Sequence, residues 1–148
     1  MLKKINALIL RKDSCVLATT DGETPHCSLM AYIPDKSGER LYLVTSSASR
    51  KYQNIRRHPR VSLLIDTRGD QQRKLTQAVT VTGTCEILED TAKIAAVKAE
   101  FVRQHVHLDD LLRKDDVAVM CVQIDFFLLL EGPERAHYQM LDRRQPNE

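Results

Sequence analysis

The chain has 148 residues, of which 43% are hydrophobic and 28% charged, with a formal net charge of +2. That balance fits one globular domain over 1–148 and excludes both a disordered polymer and a strongly basic nucleic-acid binder. The longest apolar stretch, 117–130, is interrupted by Gln123 and Asp125, and the apolar segment 5–10 closes at Arg11 and Lys12, so neither a membrane span nor a signal sequence is expected.

In chain order, Leu2, Ile5, Leu8 and Ile9 fall at helical spacing within 2–12 and predict a short amphipathic helix laid over a sheet. Strands follow over 15–20 and, after the Asp21-Gly22 turn, over 26–33. The turn containing Ser37-Gly38 leads to a third strand over 41–45, and a helix over 50–58 is stopped by Pro59. On that helix Tyr52 and Ile55 share one side, with Arg50 and Arg57 nearly opposite. A fourth strand is expected over 60–67, then a polar loop over 68–76. Residues 78–88 alternate, with Val79, Val81, Gly83, Cys85 and Ile87 on one face, and the isolated Gly83 predicts a bulge or sharp bend.

From Asp90 the period changes to about 3.6 residues. Ile94, Val97, Phe101, Val102, His105, Leu108 and Leu112 form one stripe, predicting a helix that ends by 115–116 and is capped by Asp90 or Thr91. A sixth strand occupies 117–130, and the tail from 133, with Arg135, Arg143 and Arg144, reads as frayed. The expected architecture is mainly β: six antiparallel strands in a closed or nearly closed small barrel, a short helix between the third and fourth strands and a longer one between the fifth and sixth.

The four cysteines, Cys15, Cys27, Cys85 and Cys121, lie in separate strand-like stretches without CxxC pairs or Cys/His ligand spacing. They read as core thiols in a reducing cytoplasm, with no metal site. His105 lies on the apolar stripe and His107 on the opposite side of the same helix, which keeps them from acting together. His26 and His58 have no identifiable partner, and Asp125 is either edge-facing or paired.

The stretch from Thr45 to Lys51, TSSASRK, carries the chemistry. A strand ends at Thr45, small residues turn, Ser49 stands at a helix N-cap and Arg50-Lys51 open the helix. A helix start offers unpaired N–H groups and the positive end of the macrodipole, so a phosphate there gains several donors, and the hydroxyls and two cations add to them. Arg56, Arg57 and Arg60 scatter around the helix instead of forming a stripe, and few aromatics are present for stacking, which speaks against nucleic acid.

Thr45, Ser49-Arg50-Lys51 and His58-Pro59-Arg60-Val61, with the order of elements from 15 to about 130, resemble the pyridoxamine 5′-phosphate oxidase-like FMN-binding split-barrel family. The resemblance implies FMN as cofactor and a homodimer with flavin at its interface. It makes Arg50 and Lys51 the phosphate clamp and Thr45 and Ser49 hydroxyl donors. Val44 would lie beside the ribityl chain or ring, Ser28, Leu29 and Met30 along the isoalloxazine, and Gln77 would match a flavin-contacting glutamine. Two departures bear on the substrate. Ser28 and Ile33 stand where true pyridoxamine phosphate oxidases carry basic residues, and the chain contains no Trp to close the substrate pocket. The expected function is therefore a flavin-dependent oxidoreductase with a substrate other than pyridoxamine phosphate. The alternative is a non-catalytic module of the same fold for flavin, deazaflavin or haem. No acid or base residue is identified.

Overall fold

Period-two burial builds the sheet. The computed structural model describes residues 1–70 and 75–141. Strand β1 (Ser14–Thr20) buries Cys15, Leu17 and Thr19, and the second strand of the sheet's central part, over Arg60–Asp66, buries Val61, Leu63 and Ile65. Helix α1 (Leu2–Arg11) turns Ile5, Leu8 and Ile9 onto these inward rows, so the core it shares with Leu17, Leu43, Leu63 and Phe127 lies on the concave side of the sheet.

Among the described residues the sheet has eight strands, all paired antiparallel. They are β1, β2 (Pro25–Ala31), β3 (Ile33–Pro34), β4 (Arg40–Ser46), β5 (Arg60–Asp66), β6 (Gln77–Ile87), β7 (Val117–Glu131) and β8 (Arg135–Met140). The order is β2-β1-β5-β6-β7-β4-β3, with β8 also on β7. One side of β7 is shared: residues 117–123 pair with β4 and residues 126–131 with β8. The two ends of the ordered path, β2 and β3, are successive segments of one chain separated by Tyr32 alone, so the sheet curls until its ends meet. Tyr32 fixes that junction. Its N–H donates to the Asp13 carbonyl at 3.2 Å, and its hydroxyl donates to the Ile9 and Lys12 carbonyls at 2.5 and 3.0 Å. Its own carbonyl lies 3.0 Å from His105 Nε2.

Gly83 sits at the expected bulge. Thr82 pairs with Phe126 but Gly83 with Ile124, leaving Asp125 as the extra residue on β7. A Cβ on Gly83 would stand 2.2 Å from the Gln123 carbonyl oxygen, so the close backbone approach admits only glycine. Asp125 is ion-paired with Arg60.

A second apolar cluster covers the convex side of β4 and β7, where Val97 and Phe101 of α3 (Thr91–Gln104) pack on Tyr42, Val44, Val119 and Cys121. Asp90 caps α3 by accepting from the Lys93 N–H at 3.1 Å.

Four expectations are corrected. Eight strands replace six, because the predicted 26–33 strand divides at Tyr32 and because β8 occupies part of the tail read as frayed, completing the edge that β4 leaves open on β7. The helix expected to reach 115–116 ends at Gln104, since His105 takes an extended φ of −130° and turns its ring onto Tyr32. A 3-10 turn (Val106–Leu108) and α4 (Asp109–Leu112) follow, and this break brings the His105 and His107 rings to 5.9 Å instead of opposite sides of one helix. Cys27 is exposed, whereas Cys15, Cys85 and Cys121 are buried as expected. Residues 71–74 of the polar loop, and 142–148 with Arg143 and Arg144, lie outside the described residues. Among the described residues no helix is long and apolar enough to cross a membrane, and no group of three or more His, Cys, Asp or Glu is placed to hold a metal.

Candidate anion and cofactor site

The turn after β4 is held from within and from below. Ser46 Oγ accepts from the Ala48 N–H at 3.1 Å and donates to Asp116 Oδ2 at 2.6 Å, while the Ser47 N–H donates to the Asp116 carbonyl at 2.7 Å. The Ser49 N–H closes the turn on the Ser46 carbonyl at 3.0 Å. Ser49 then caps α2 (Arg50–Arg57): its Oγ accepts from the Tyr52 N–H at 3.2 Å and lies 3.1 Å from Thr45 Oγ1.

These bonds consume the N–H groups of Ser47, Ala48, Ser49 and Tyr52 and leave two. Among the described residues, the backbone N–H groups of Arg50 and Lys51 have no acceptor, and neither side chain is in an ion pair. A helix start with two unpaired donors, two cations and two hydroxyls on one turn is chemically an anion receptor. Arg50 also helps hold the Asp21 carboxyl below its ordinary range, although the larger causes are the Thr24 and Glu23 N–H groups donating to it.

Packing fixes the receptor's direction. Ile55 enters the main core, and the buried Asn54 side chain donates to the buried Thr19 hydroxyl at 3.0 Å, tying α2 to β1. Gly22, in the left-handed region at φ +103°, lies against the His58 ring, which a Cβ would approach to 3.2 Å.

The β3–β4 ladder stops at Ile33–Tyr42. Continued by three residues, that register would set Met30 opposite Thr45; β2 and β4 come into contact but do not pair as a ladder, leaving a split between them. Through the Asn54–Thr19 bond and the pairing of Thr19 with His26, the β1–β2 hairpin that carries Ser28, Leu29 and Met30 flanks the helix that Ser49 caps and Arg50 and Lys51 open. Ser28 and Met30 face inward and Leu29 outward. Val44 is buried under α3 with Phe101 and Val119, so what it offers a ligand is backbone. Gln77 is not brought to this place within one chain. It pairs with Glu131 and donates to its carboxylate at 3.0 Å, at the far end of β7 from Val117, the partner of Ser46.

Three contributors were missed by sequence reasoning: Asp116, the Ser46 hydroxyl, and the Asn54–Thr19 pair. Ser46 and Asp116 are 70 positions apart, and Asp115-Asp116 carries only a helix-stop signal.

Strand register also assembles a broad convex face. One row runs Leu29, Val16, Leu64, Thr80, Leu128, Tyr138, and the next runs Cys27, Ala18, Ser62, Thr82, Phe126, Met140. Leu29, Tyr138 and Met140 are 79%, 71% and 64% exposed, an unusual solvent load for large apolar side chains.

Comparison with solved structures places the fold among known ones. General Stress Protein 26 from Bacillus anthracis str. Sterne is similar at a TM-score of 0.74 and 21% identity, over 95% of this chain and 98% of that one. A fad-binding protein from Mesorhizobium loti gives 0.73 and 18% over 88% and 94%. A heme binding protein from Mycobacterium smegmatis gives 0.77 and 20%, and this chain spans 56% of that longer one. No curated protein matches the sequence. The family described as Pyridoxamine 5′-phosphate oxidase matches residues 1–130, and with the strand-turn-helix receptor at Thr45 to Lys51 inside that span, the chain belongs to the pyridoxamine 5′-phosphate oxidase family.

Proposed function

We propose that this protein binds FMN, with the phosphate seated at the start of α2, and works as a flavin-dependent oxidoreductase in a homodimer. The observation that carries this is the pair of unpaired N–H groups at Arg50 and Lys51, flanked by their own cations and by the Thr45 and Ser49 hydroxyls. A phosphate there satisfies donors that nothing among the described residues satisfies, and the positive end of the helix adds to the attraction. From the turn, the ring would extend along the split, where Ser28, Leu29, Met30 and Val44 present backbone outside the β3–β4 ladder. When bound, FMN supplies the electron-transfer chemistry. The chain's residues hold the phosphate, orient the ring and shield it from water.

The substrate is proposed to be something other than pyridoxamine phosphate. Ser28 carries no charge, and Ile33 is buried and paired with Tyr42, so the two positions that are basic in the oxidases offer a substrate phosphate no cation. Dimerisation is supported by the convex apolar face. Strand β2 forms both its edge and one wall of the split, so a second copy on that face would cover the open side of the cofactor. A contact from Gln77 would then come from the second copy.

Haem is the second candidate, favoured by the fold shared with a heme binding protein. Arg50 and Lys51 would serve a propionate as well as a phosphate, but an axial ligand is also needed, and His26 and His58 are the imidazoles at this end of the fold. The absorption spectrum of the protein as isolated, identification of the chromophore released by denaturation, and turnover with NADH or NADPH decide between them. A protein that carries no flavin, and whose melting temperature free FMN does not raise, would overturn the proposal.

A further inference from the structure

We infer that Asp116 is a positioning residue for the phosphate turn, a role that rests on the FMN reading above. Asp116 stands on the loop before β7, yet it holds the turn after β4 at two points: its carboxylate accepts a hydrogen bond from the Ser46 hydroxyl at 2.6 Å and its carbonyl accepts one from the Ser47 N–H at 2.7 Å. Because Ser46 Oγ is oriented as a donor to Asp116, its lone pairs face the Ala48 N–H, which it accepts at 3.1 Å. The turn's own N–H groups are thereby spent before the helix begins, and the unpaired pair falls on Arg50 and Lys51.

The sign of the electrostatics makes this testable. A carboxylate beside a phosphate receptor repels the anion, so charge alone would make its removal tighten FMN binding. If orientation of the turn matters more, losing the acceptor weakens binding despite losing the repulsion. Asn at 116 separates the two effects, since its side-chain carbonyl still accepts from Ser46 while the charge is gone.

The experiment titrates wild-type protein, Asp116→Ala and Asp116→Asn with FMN and with riboflavin, which has the ring but no phosphate, after circular dichroism and thermal melting have shown each variant to be folded. The expected result is FMN affinity at least fivefold weaker in D116A, rescue in D116N to wild-type affinity or tighter, and riboflavin affinity the same in all three. Hydrogen exchange at the Ala48 amide without ligand should quicken in D116A, where Ser46 Oγ loses the acceptor that orients it, and not in D116N. FMN binding as tight or tighter in D116A, or an equal loss of FMN and riboflavin, would overturn the positioning role while leaving the cofactor assignment standing. Wild-type protein that binds no FMN would overturn the cofactor assignment and this role with it.

Discussion

Thr45 Oγ1 and Ser49 Oγ lie 3.1 Å apart across a four-residue turn, and Ser49 Oγ simultaneously accepts from the Tyr52 N–H at 3.2 Å. One hydroxyl thus stands one residue before the end of β4, the other caps α2, and each orients the other. Ser49→Ala removes the cap and should cost about 1 kcal/mol of stability, as N-cap deletions do. The same change should weaken FMN binding severalfold, while Ser49→Thr keeps the hydroxyl and most of both. Urea denaturation and FMN titration of the same samples test this, and an Ala variant as stable as the parent would show that Ser49 is not working as a cap.

Arg50 and Lys51 allow a sharper test, because neither has an ion-pair partner to lose among the described residues. Each charge-assisted phosphate bond contributes about 1.5–3 kcal/mol, and the lower end applies to the solvent-exposed Arg50. Replacing either by Ala should raise the FMN dissociation constant roughly tenfold or more. Folding stability should change little, as no described partner is stranded. Unchanged affinity in both variants would place the phosphate elsewhere.

Gly83→Ala should be among the most damaging conservative changes in the protein. The added Cβ would stand 2.2 Å from the Gln123 carbonyl oxygen and 3.1 Å from a Val122 methyl, and the first of these is backbone. Relief requires β6 and β7 to separate at the bulge, so a loss of about 2 kcal/mol or more is expected, at the upper range of overpacking costs. The urea midpoint measures it, and a variant within about 0.5 kcal/mol of the parent would mean that the strands yield easily there.

The same glycine shows what was legible in the sequence. A lone Gly in a run of alternating Val, Thr and Cys is a local signal, and so are the Ser49 cap, the Pro59 stop and the period-two rows of β1, β5 and β6. What sequence reasoning missed depends on distant contacts. His105 continues the apolar stripe perfectly, but its ring is drawn to the Tyr32 carbonyl, 73 positions away, and the helix ends there. Tyr32 itself looks like any strand aromatic, although its backbone and hydroxyl bonds divide one predicted strand into two. Tail residues 135–140 form β8 because β7 outruns β4, a mismatch of strand lengths that appears only once pairing is known. Asp116 is invisible for the same reason.

Burial also fixes a pH dependence. Desolvation pushes the Cys15 and Cys85 thiols up to about 12 and Cys121 to about 11, from an ordinary value of 9.0. A group whose native pKa is raised keeps its proton when the unfolded chain has lost it, so its stabilisation is complete below pH 9 and is lost as pH rises toward 11–12. The urea midpoint should fall steadily over that window, and Cys15→Ala should be less stable at pH 8 but show a shallower alkaline decline. An identical decline in parent and variant would assign the alkaline lability to other groups, such as the buried Tyr32 hydroxyl, whose pKa is raised by the same cause.

Cys27 differs from the other three thiols in a way that reports on assembly. It is exposed on β2, opposite Ala18 in the ladder and two residues from the 79%-exposed Leu29, on the convex face proposed to meet a second copy. In dilute protein one thiol in four should react promptly with a thiol reagent, because the buried three are reached only on unfolding. As concentration rises into the dimer range, that one reaction should slow, since each Cys27 becomes covered. Leu29→Asp places a charge on the same convex face, at its β2 edge, without touching the concave core. It should therefore leave the melting temperature of dilute protein nearly unchanged, hold the protein as a monomer in sedimentation, and keep Cys27 reactive at every concentration. Its FMN affinity should also fall, if the second copy closes the open side of the split. Parent protein that sediments as a monomer throughout, with Cys27 reactivity independent of concentration, would remove the dimer and leave Leu29 and Tyr138 as an unexplained apolar surface.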